Sequence, residues 1–225
     1  MSGRRQKMAY VPWRLKNFLS EHFPLLYHVA VNLGETGNSP EHWDRRLAET
    51  WADPIRYWPT KNDLVASLTR PTDVILDIGC GNGSILRSLK GRGYLHLHGL
   101  DISDYAVRHL STEGIRMHAG VLPSVPLADA SCDVVIASQV LEHVIRRHRL
   151  LRNIRRVLKP GGRALVFVPD DCLGPIDEPE HVIKYNERSL RKLLEKHFAV
   201  VELNSMRDAN HPMSLLFAHV TRPAG

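Results

Sequence analysis

The stretch VILDIGCGNGSIL, residues 74–86, places an aspartate and three glycines directly after a run of apolar residues. Asp77 comes first, and Gly79, Gly81 and Gly83 follow at every second position. Because glycine has no β-carbon, such a loop can adopt positive φ and let its backbone approach a ligand closely. A glycine-rich loop between a strand and a helix is typical of a nucleotide-binding site.

A second acid, Asp101, comes 20 residues after Gly81. A carboxylate at about this distance suits a ribose diol, since its two oxygens accept both hydroxyl protons. The predicted ligand therefore contains a nucleoside. NAD stays open as an alternative, because Ser84 nearly meets the dinucleotide spacing. Asp77 argues against NAD, since a carboxylate inside the loop would repel a pyrophosphate but could bind an ammonium group.

Two histidines are candidates for proton transfer. His143 stands in VLEHV and His181 in DEPEHV, each after an apolar segment that reads as a strand. Imidazole titrates near neutral pH, which suits a general base. A structural role for either ring stays open, and Glu142 is expected to be solvated or structural. The three cysteines form no CxxC pair, so no metal site is predicted and Cys80 is expected to be structural.

Strands and helices alternate from about residue 72 onward. Five apolar segments, each followed by a helical pattern or a turn, are DVILD, YLHLHGLD, IRMHAG, CDVVIAS and RALVFVP. This alternation predicts a parallel sheet with helices on both faces and a ligand site at the carboxyl ends of the strands. The last two strands, AVVELNSM and MSLLFAHVTR, are joined by a link too short for a crossover helix, so they should form an antiparallel hairpin.

The first 59 residues differ in composition from the rest of the chain and contain all four tryptophans. Trp43, Leu47 and Trp51 recur at helical spacing there. We therefore predict two parts, a helical extension or lid over residues 1–59 and a ligand-binding domain over residues 60–225.

Four ordered segments carry a family resemblance: VILDIGCGNG, LHGLDIS, CDVVIASQVLEHV and LRNIRRVLKPGGRALVFVP. In this order and spacing they resemble the class I S-adenosylmethionine-dependent methyltransferases, and most closely the small bacterial group that includes the ubiquinone and menaquinone methyltransferases. The resemblance covers roughly residues 60–221. It implies an α/β, Rossmann-like fold with a seven-stranded, mostly parallel sheet, an antiparallel last strand and helices on both faces. It also implies S-adenosylmethionine as the cofactor.

The resemblance assigns cofactor-binding roles by position. Asp77 would lie near the methionine ammonium, Asp101 would take the ribose hydroxyls, and Ser138 would line the site near the sulfonium. Where many members carry an acid that accepts from the adenine amino group, this chain has Gly120 and Val121, so adenine would rely on backbone groups and apolar cover. The full set of predicted cofactor-binding residues is Asp77, Gly79, Cys80, Gly81, Asp101, Ile102, Val121, Leu122, Ser138 and Gln139.

The resemblance implies methyl transfer to a small-molecule acceptor, and we predict transfer to oxygen with His143 and His181 as catalytic candidates. No Asn-Pro-Pro-Tyr-like tetrapeptide follows the fourth strand, which argues against methylation of DNA bases or glutamine amides. Three alternatives stay open: an RNA methyltransferase, an NAD-dependent oxidoreductase and a non-catalytic scaffold that keeps the fold.

Charge and hydropathy limit which partners and which cellular location the sequence permits. The net charge is +6, with basic residues concentrated in residues 1–20 and 146–159. A basic balance permits contact with nucleic acid or a membrane surface but does not establish it. Residues 1–34 mix basic and apolar side chains and could serve as a peripheral membrane contact or an oligomer contact. No apolar run approaches the ~20 residues of a membrane span, and no signal peptide is recognisable. The three widely spaced cysteines favour a reducing cytosol, so a cytoplasmic location is predicted.

Overall fold

The computed structural model describes residues 18–19, 22–23, 25–27, 38–170, 178, 180–208 and 211–223. Most of residues 1–34, the predicted membrane-contact segment, and most of residues 171–180 lie outside these ranges. In the described part of the chain, no helix has the length and apolar character that crossing a membrane requires.

Seven strands form one sheet. They are β1 (Val74–Ile78), β2 (His96–Asp101), β3 (Arg116–Ala119), β4 (Cys132–Ser138), β5 (Leu158–Pro169), β6 (Ala199–Arg207) and β7 (Ser214–Thr221). Their order is β3-β2-β1-β4-β5-β7-β6, and β7 runs antiparallel to both of its neighbours while the other pairs are parallel. The predicted fold class, including the antiparallel hairpin at the end, is confirmed.

Within residues 38–223, in the part of the chain that the structure describes, six helices accompany the sheet. They are α1 (Pro40–Thr50), α2 (Pro59–Ser67), α3 (Ser84–Gly91), α4 (Asp104–Thr112), α5 (Arg147–Val157) and α6 (Glu187–Leu194), with short 3₁₀ turns at Pro54–Arg56 and Leu141–His143. Helix α1 begins after Ser39, because the Ser39 hydroxyl accepts from the backbone N–H of His42 at 3.2 Å and caps the helix. Helix α5 ends at Val157, since Leu158 already pairs with Cys132 as the first residue of β5.

The core lies on both faces of the sheet, because successive side chains of each strand point to opposite sides. In β1, Leu76 belongs to one apolar cluster and Ile75 to the other. The chain leaves β1 first toward β2 and later toward β4, so the strand order reverses between these two neighbours. In a sheet of this kind the ligand crevice opens at this switch point, beyond the carboxyl ends of the strands.

Candidate active site at the carboxyl edge of the sheet

A cleft of about 1420 Å³ opens at the switch point. Its walls come from the carboxyl ends of β1, β2, β4 and β5, and from α1 and the start of α2. Typical small-molecule pockets measure ~300–1,000 Å³, so this cleft is large enough for two ligands side by side. All twelve predicted site residues line it: Asp77, Gly79, Cys80, Gly81, Asp101, Ile102, Val121, Leu122, Ser138, Gln139, His143 and His181. Their individual roles stay predictions.

The three loop glycines all have positive φ but different surroundings. A β-carbon on Gly79 would lie 2.7 Å from Cγ2 of Val140, and one on Gly83 would lie 2.5 Å from Cδ2 of Leu110. Both positions therefore need glycine for packing. At Gly81 the nearest atom, on Leu47, is 3.9 Å away, so only there does the missing side chain leave space beside the cleft. Gly81 is the position at which a ligand can approach the backbone.

We predict that Gly79→Ala lowers the free energy of unfolding by about 1–3 kcal/mol, because the new methyl group overlaps a stiff valine and φ is unfavourable. Gly91→Ala is the matched control, since a β-carbon there meets no atom within 4 Å and alanine favours the helix. Urea unfolding measures both. Adding Val140→Ala to Gly79→Ala should restore part of the free energy of unfolding that Gly79→Ala loses. If Gly79→Ala and Gly91→Ala were equally stable, the packing argument would be contradicted.

Asp101 joins the glycine loop to the end of β2. Its Oδ2 accepts from the backbone N–H of Gly81 at 2.8 Å, and its Oδ1 accepts from that of Ser103 at 2.9 Å. Burial raises the pKa of this carboxyl, and the two backbone hydrogen bonds oppose the rise. Each carboxylate oxygen can accept more than one hydrogen bond, so Asp101 keeps acceptor capacity toward the cleft that it lines.

Asp77 is buried at the floor of the cleft, and its Oδ1 has no hydrogen-bond partner among the described residues. Burial raises the pKa of Asp77 to about 7, although the Lys61 ammonium opposes the rise. A buried carboxylate oxygen without a donor is costly, so this group is suited to receive a cationic or hydrogen-bonding ligand group.

Lys61 is a site residue that the sequence analysis missed. Its Nζ donates to the Ser138 hydroxyl at 2.9 Å and lies 4.7 Å from the ring centroid of Trp58. Burial lowers the pKa of Lys61 to about 8, while nearby Asp77 opposes this change. A lysine in a short helix before the recognisable motifs reads as solvated, so no local signal marks it.

The end of β4 carries an unusual backbone. Gln139 has φ of 55°, and its N–H donates to the carbonyl of Phe167 at 2.8 Å. A left-handed conformation costs a non-glycine residue ~1–2 kcal/mol, and such strain is concentrated at ligand-binding positions. The strained turn leads directly into the 3₁₀ turn that carries Glu142 and His143.

The structure brings the two predicted histidines together. The ring centroids of His143 and His181 are 4.7 Å apart, edge to face. Nδ1 of His143 lies 3.2 Å from the carbonyl oxygen of Glu180, so Nδ1 carries the proton in the neutral ring and the lone pair is on Nε2. This arrangement can accept a proton inside the cleft.

Of the two roles expected for Glu142, solvated or structural, burial excludes the first, because only 1% of the residue is exposed. Neither carboxylate oxygen has a hydrogen-bond partner within the described ranges, although the backbone carbonyl accepts from Val182 N–H at 2.6 Å. Burial raises the pKa of Glu142 to about 8. Glu142 lies in the 3₁₀ turn after β4, and its carbonyl ties this turn to the segment that carries His181 and Val182.

Helix α1 is held across the cleft at two points. On one side Glu180 accepts from Arg46 Nη1 at 2.5 Å and lies 2.9 Å from His42 Nε2. On the other side Asp44 accepts from the Ser103 hydroxyl at 2.5 Å, next to the N-terminus of α4. No local feature of the sequence predicts these long-range pairs.

The sheet topology and the cleft at its switch point match the Rossmann-like fold of the class I, S-adenosylmethionine-dependent methyltransferases. Residues 76–166 match the family described as "Methyltransferase domain". The chain is 31% identical over 168 residues to a probable S-adenosylmethionine-dependent methyltransferase of Mycolicibacterium smegmatis, covering 66% of this chain and 63% of that protein.

Two further comparisons give similarities of the same kind. The chain is 30% identical over 159 residues to the O-methyltransferase resE of Aspergillus sclerotiorum, covering 62% of this chain and 60% of that protein. It thus spans less than two thirds of either relative. A chain from the complex between the Haloferax volcanii Trm112 methyltransferase activator and a methyltransferase has the same fold, with a TM-score of 0.71 at 19% identity, over 85% of this chain and 99% of that one.

Proposed function

We propose that this chain transfers the methyl group of S-adenosylmethionine to an oxygen atom of a small-molecule acceptor. The observation that carries the proposal is a single cleft with two chemically different groups of residues. Asp77, Asp101 and the glycine loop are suited to a cationic nucleoside ligand, while His143 and His181 offer imidazoles to an acceptor. The similarity to resE, which is named an O-methyltransferase, supports oxygen as the methylated atom.

The residues present fit this cofactor. The buried Asp77 oxygen would receive the methionine ammonium, Asp101 would accept from the ribose hydroxyls, and the open space at Gly81 allows backbone contact. When bound, the cofactor supplies an electrophilic methyl group: the acceptor oxygen bonds to its carbon as the carbon–sulfur bond breaks, and the acceptor proton passes to a base. The protein orients the acceptor and excludes water, which supplies up to ~7–11 kcal/mol of the barrier reduction.

The test of this function replaces His143 and His181 by alanine and measures S-adenosylhomocysteine release over a panel of phenols and aliphatic alcohols. Removing a general base lowers kcat by ~10²–10⁴, so at least one variant should lose activity on this scale. His148→Ala is the control, since His148 is exposed and contacts His197 instead. Full turnover by both cleft variants would contradict a role for these rings, and a tighter complex with NAD than with S-adenosylhomocysteine would contradict the cofactor.

RNA methylation is the second candidate, because the chain is basic. Helix α5 contains much of the described positive charge, yet Arg156 donates to the backbone carbonyls of Val125 and Leu127 and pairs with Asp129. Part of the basic segment 146–159 therefore has a structural role, which favours a small-molecule acceptor over RNA. RNA binding that weakens by orders of magnitude between 50 and 200 mM salt, at roughly the slope of six or more phosphate contacts, would favour RNA instead.

We further propose that the extension over residues 1–59 acts as a lid through α1. Arg46→Ala should accelerate amide hydrogen exchange in Pro40–Thr50 and raise KM for both ligands about 3- to 10-fold, because it removes the ion pair with Glu180 at the cleft wall. Arg45→Ala is the matched control, since Arg45 is exposed on the same helix. Equal exchange rates and KM values in the two variants would contradict a lid held by this contact.

A further inference from the structure

Three metal-ligand side chains meet beside the proposed acceptor position. One ligand atom each from Glu142, His143 and His181 lies within 4.8 Å of the other two. The cluster joins two segments that are distant in the sequence, the 3₁₀ turn after β4 and the loop after β5. No metal site is predicted from the sequence, because its three cysteines form no CxxC pair and the three residues of this cluster lie in two separate segments.

The carboxylate in this cluster has the strongest need for a cation. Glu142 is 1% exposed, and both of its oxygens lack a hydrogen-bond partner in the part of the chain that the structure describes. An uncompensated buried carboxylate is strongly unfavourable unless it is protonated, paired or coordinated to a metal. Lys61 acts on Glu142 electrostatically but donates its hydrogen bond to Ser138.

The backbone around the cluster already positions these ligands. Val182 N–H donates to the Glu142 carbonyl at 2.6 Å, which ties the two segments together directly at the site. His143 places Nδ1 against the Glu180 carbonyl at 3.2 Å, so Nε2 is the nitrogen that can bind a metal. A ring N–H held by a backbone carbonyl is the usual support of a metal-bound histidine.

We propose that Glu142, His143 and His181 bind one divalent first-row transition-metal ion, which activates a hydroxyl acceptor. Two imidazoles and one carboxylate favour ions such as Zn²⁺ or Co²⁺ over Mg²⁺, which prefers oxygen ligands. At metal–ligand distances of ~2.1 Å, two ligand atoms of one ion lie at most ~4.2 Å apart. The present distances between the ligand atoms, up to 4.8 Å, are close to this limit, so small side-chain rotations are enough to form the site. Three protein ligands leave a coordination position open to the cleft, which His143 and His181 both line.

This inference rests on the proposed function and specifies its acceptor as a phenol or alcohol that can coordinate a metal. A bound divalent ion lowers the pKa of a coordinated hydroxyl, as it does for water, so the acceptor loses its proton near neutral pH. The proton passes to solvent, and the deprotonated oxygen becomes the nucleophile toward the methyl carbon. His143 and His181 then act by holding the ion rather than by removing the proton themselves.

The test is a metal titration of the full chain after removal of bound metal with a chelator. Titration with Co²⁺ should give visible absorption bands that saturate at one equivalent, and calorimetry should show Zn²⁺ binding far more tightly than Mg²⁺. His143→Ala, His181→Ala and Glu142→Gln should each weaken Co²⁺ binding by at least about 10-fold, on the scale of disturbing a metal site. Thermal unfolding of each variant verifies that it is folded.

Other pairs of facing histidines are alternative Co²⁺ ligands, so the experiment must distinguish them from this site. His148 and His197 face each other at 2.9 Å, and His98 and His118 at 3.1 Å. A background chain with His148→Ala and His118→Ala should retain the one-equivalent Co²⁺ signal. Loss of that signal in the background chain, or its persistence in His143→Ala and His181→Ala, would overturn the proposal, as would absence of binding at millimolar Co²⁺.

Activity gives the second readout. Chelator-treated protein should lose S-adenosylhomocysteine release at least about 10-fold and recover it with Zn²⁺ or Co²⁺, while binding of S-adenosylhomocysteine stays unchanged. Full activity without metal would overturn the role of the ion. Failure to bind S-adenosylhomocysteine would contradict the proposed function instead, and the metal titration distinguishes the two cases.

Discussion

Asp101→Ala is expected to weaken S-adenosylhomocysteine binding by at least about 100-fold. The variant loses acceptors for two ribose hydroxyls, and each hydrogen bond to a charged group contributes ~1.5–3 kcal/mol. It also leaves the Gly81 and Ser103 N–H groups without the acceptor that holds the glycine loop to β2. Isothermal titration calorimetry measures the loss directly.

Asp104→Ala is the matched control for this experiment. Asp104 is exposed in the first turn of α4, only three residues along the chain. The Asp104→Ala variant should bind S-adenosylhomocysteine with an affinity within about 2-fold of that of the unaltered protein. Asp101→Asn keeps the shape but only one acceptor oxygen, so one of the two backbone N–H groups would face the amide NH₂ and binding should again weaken. A change of less than about 3-fold in Asp101→Ala would show that ribose recognition does not depend on this carboxylate.

Asp77→Asn is expected to abolish measurable S-adenosylhomocysteine binding, because the amide cannot neutralise the ligand ammonium. In the unaltered protein, affinity should rise by up to about 10-fold per unit as pH rises from 6 toward 7 and then level off. Affinity rises with pH because the pKa of Asp77 is about 7. At a pH below this pKa, the carboxyl must lose a proton before it can pair with a cation, and this costs binding free energy. Lys61, with a pKa of about 8, repels the ammonium less as pH rises, so its effect has the same direction.

The same substitution should stabilise the ligand-free protein at high pH. The folded pKa of Asp77 lies above its unfolded value of ~3.9, so the folded state binds more protons and its stability falls as pH rises from about 4 through 7. At pH 9 Lys61 is largely neutral and Asp77 is charged, so Asp77→Asn should raise Tm by at least about 2–4 °C, which corresponds to ~1 kcal/mol. At pH 6 the difference should nearly vanish.

Asp63→Asn is the control for both measurements, since Asp63 is an exposed partner of Arg92 and surface ion pairs contribute little. It should change neither binding nor the pH dependence of Tm. Unchanged affinity in Asp77→Asn, together with flat affinity between pH 6 and 8, would contradict the assignment of Asp77 to the ligand ammonium.

The sequence alone determined the features that depend on neighbours along the chain. Alternating apolar segments predicted the sheet, and the short link before β7 required an antiparallel final pair. The glycine spacing placed the loop at the end of β1, and the distance from Gly81 to Asp101 placed an acid at the end of β2. These predictions succeed because strand period, turn chemistry and crossover length are local properties.

Only the tertiary structure decided which polar groups are buried and which remote residues meet. Lys61 lies beside Asp77 because α2 packs against the carboxyl edge of the sheet. Glu142 is buried in the turn after β4, where its backbone carbonyl accepts from the Val182 N–H of a distant segment. His143 and His181 meet because β4 and β5 are neighbours in the sheet. Burial and pairing across distant segments set the charge and pKa of these groups, and neither is encoded by spacing in the sequence.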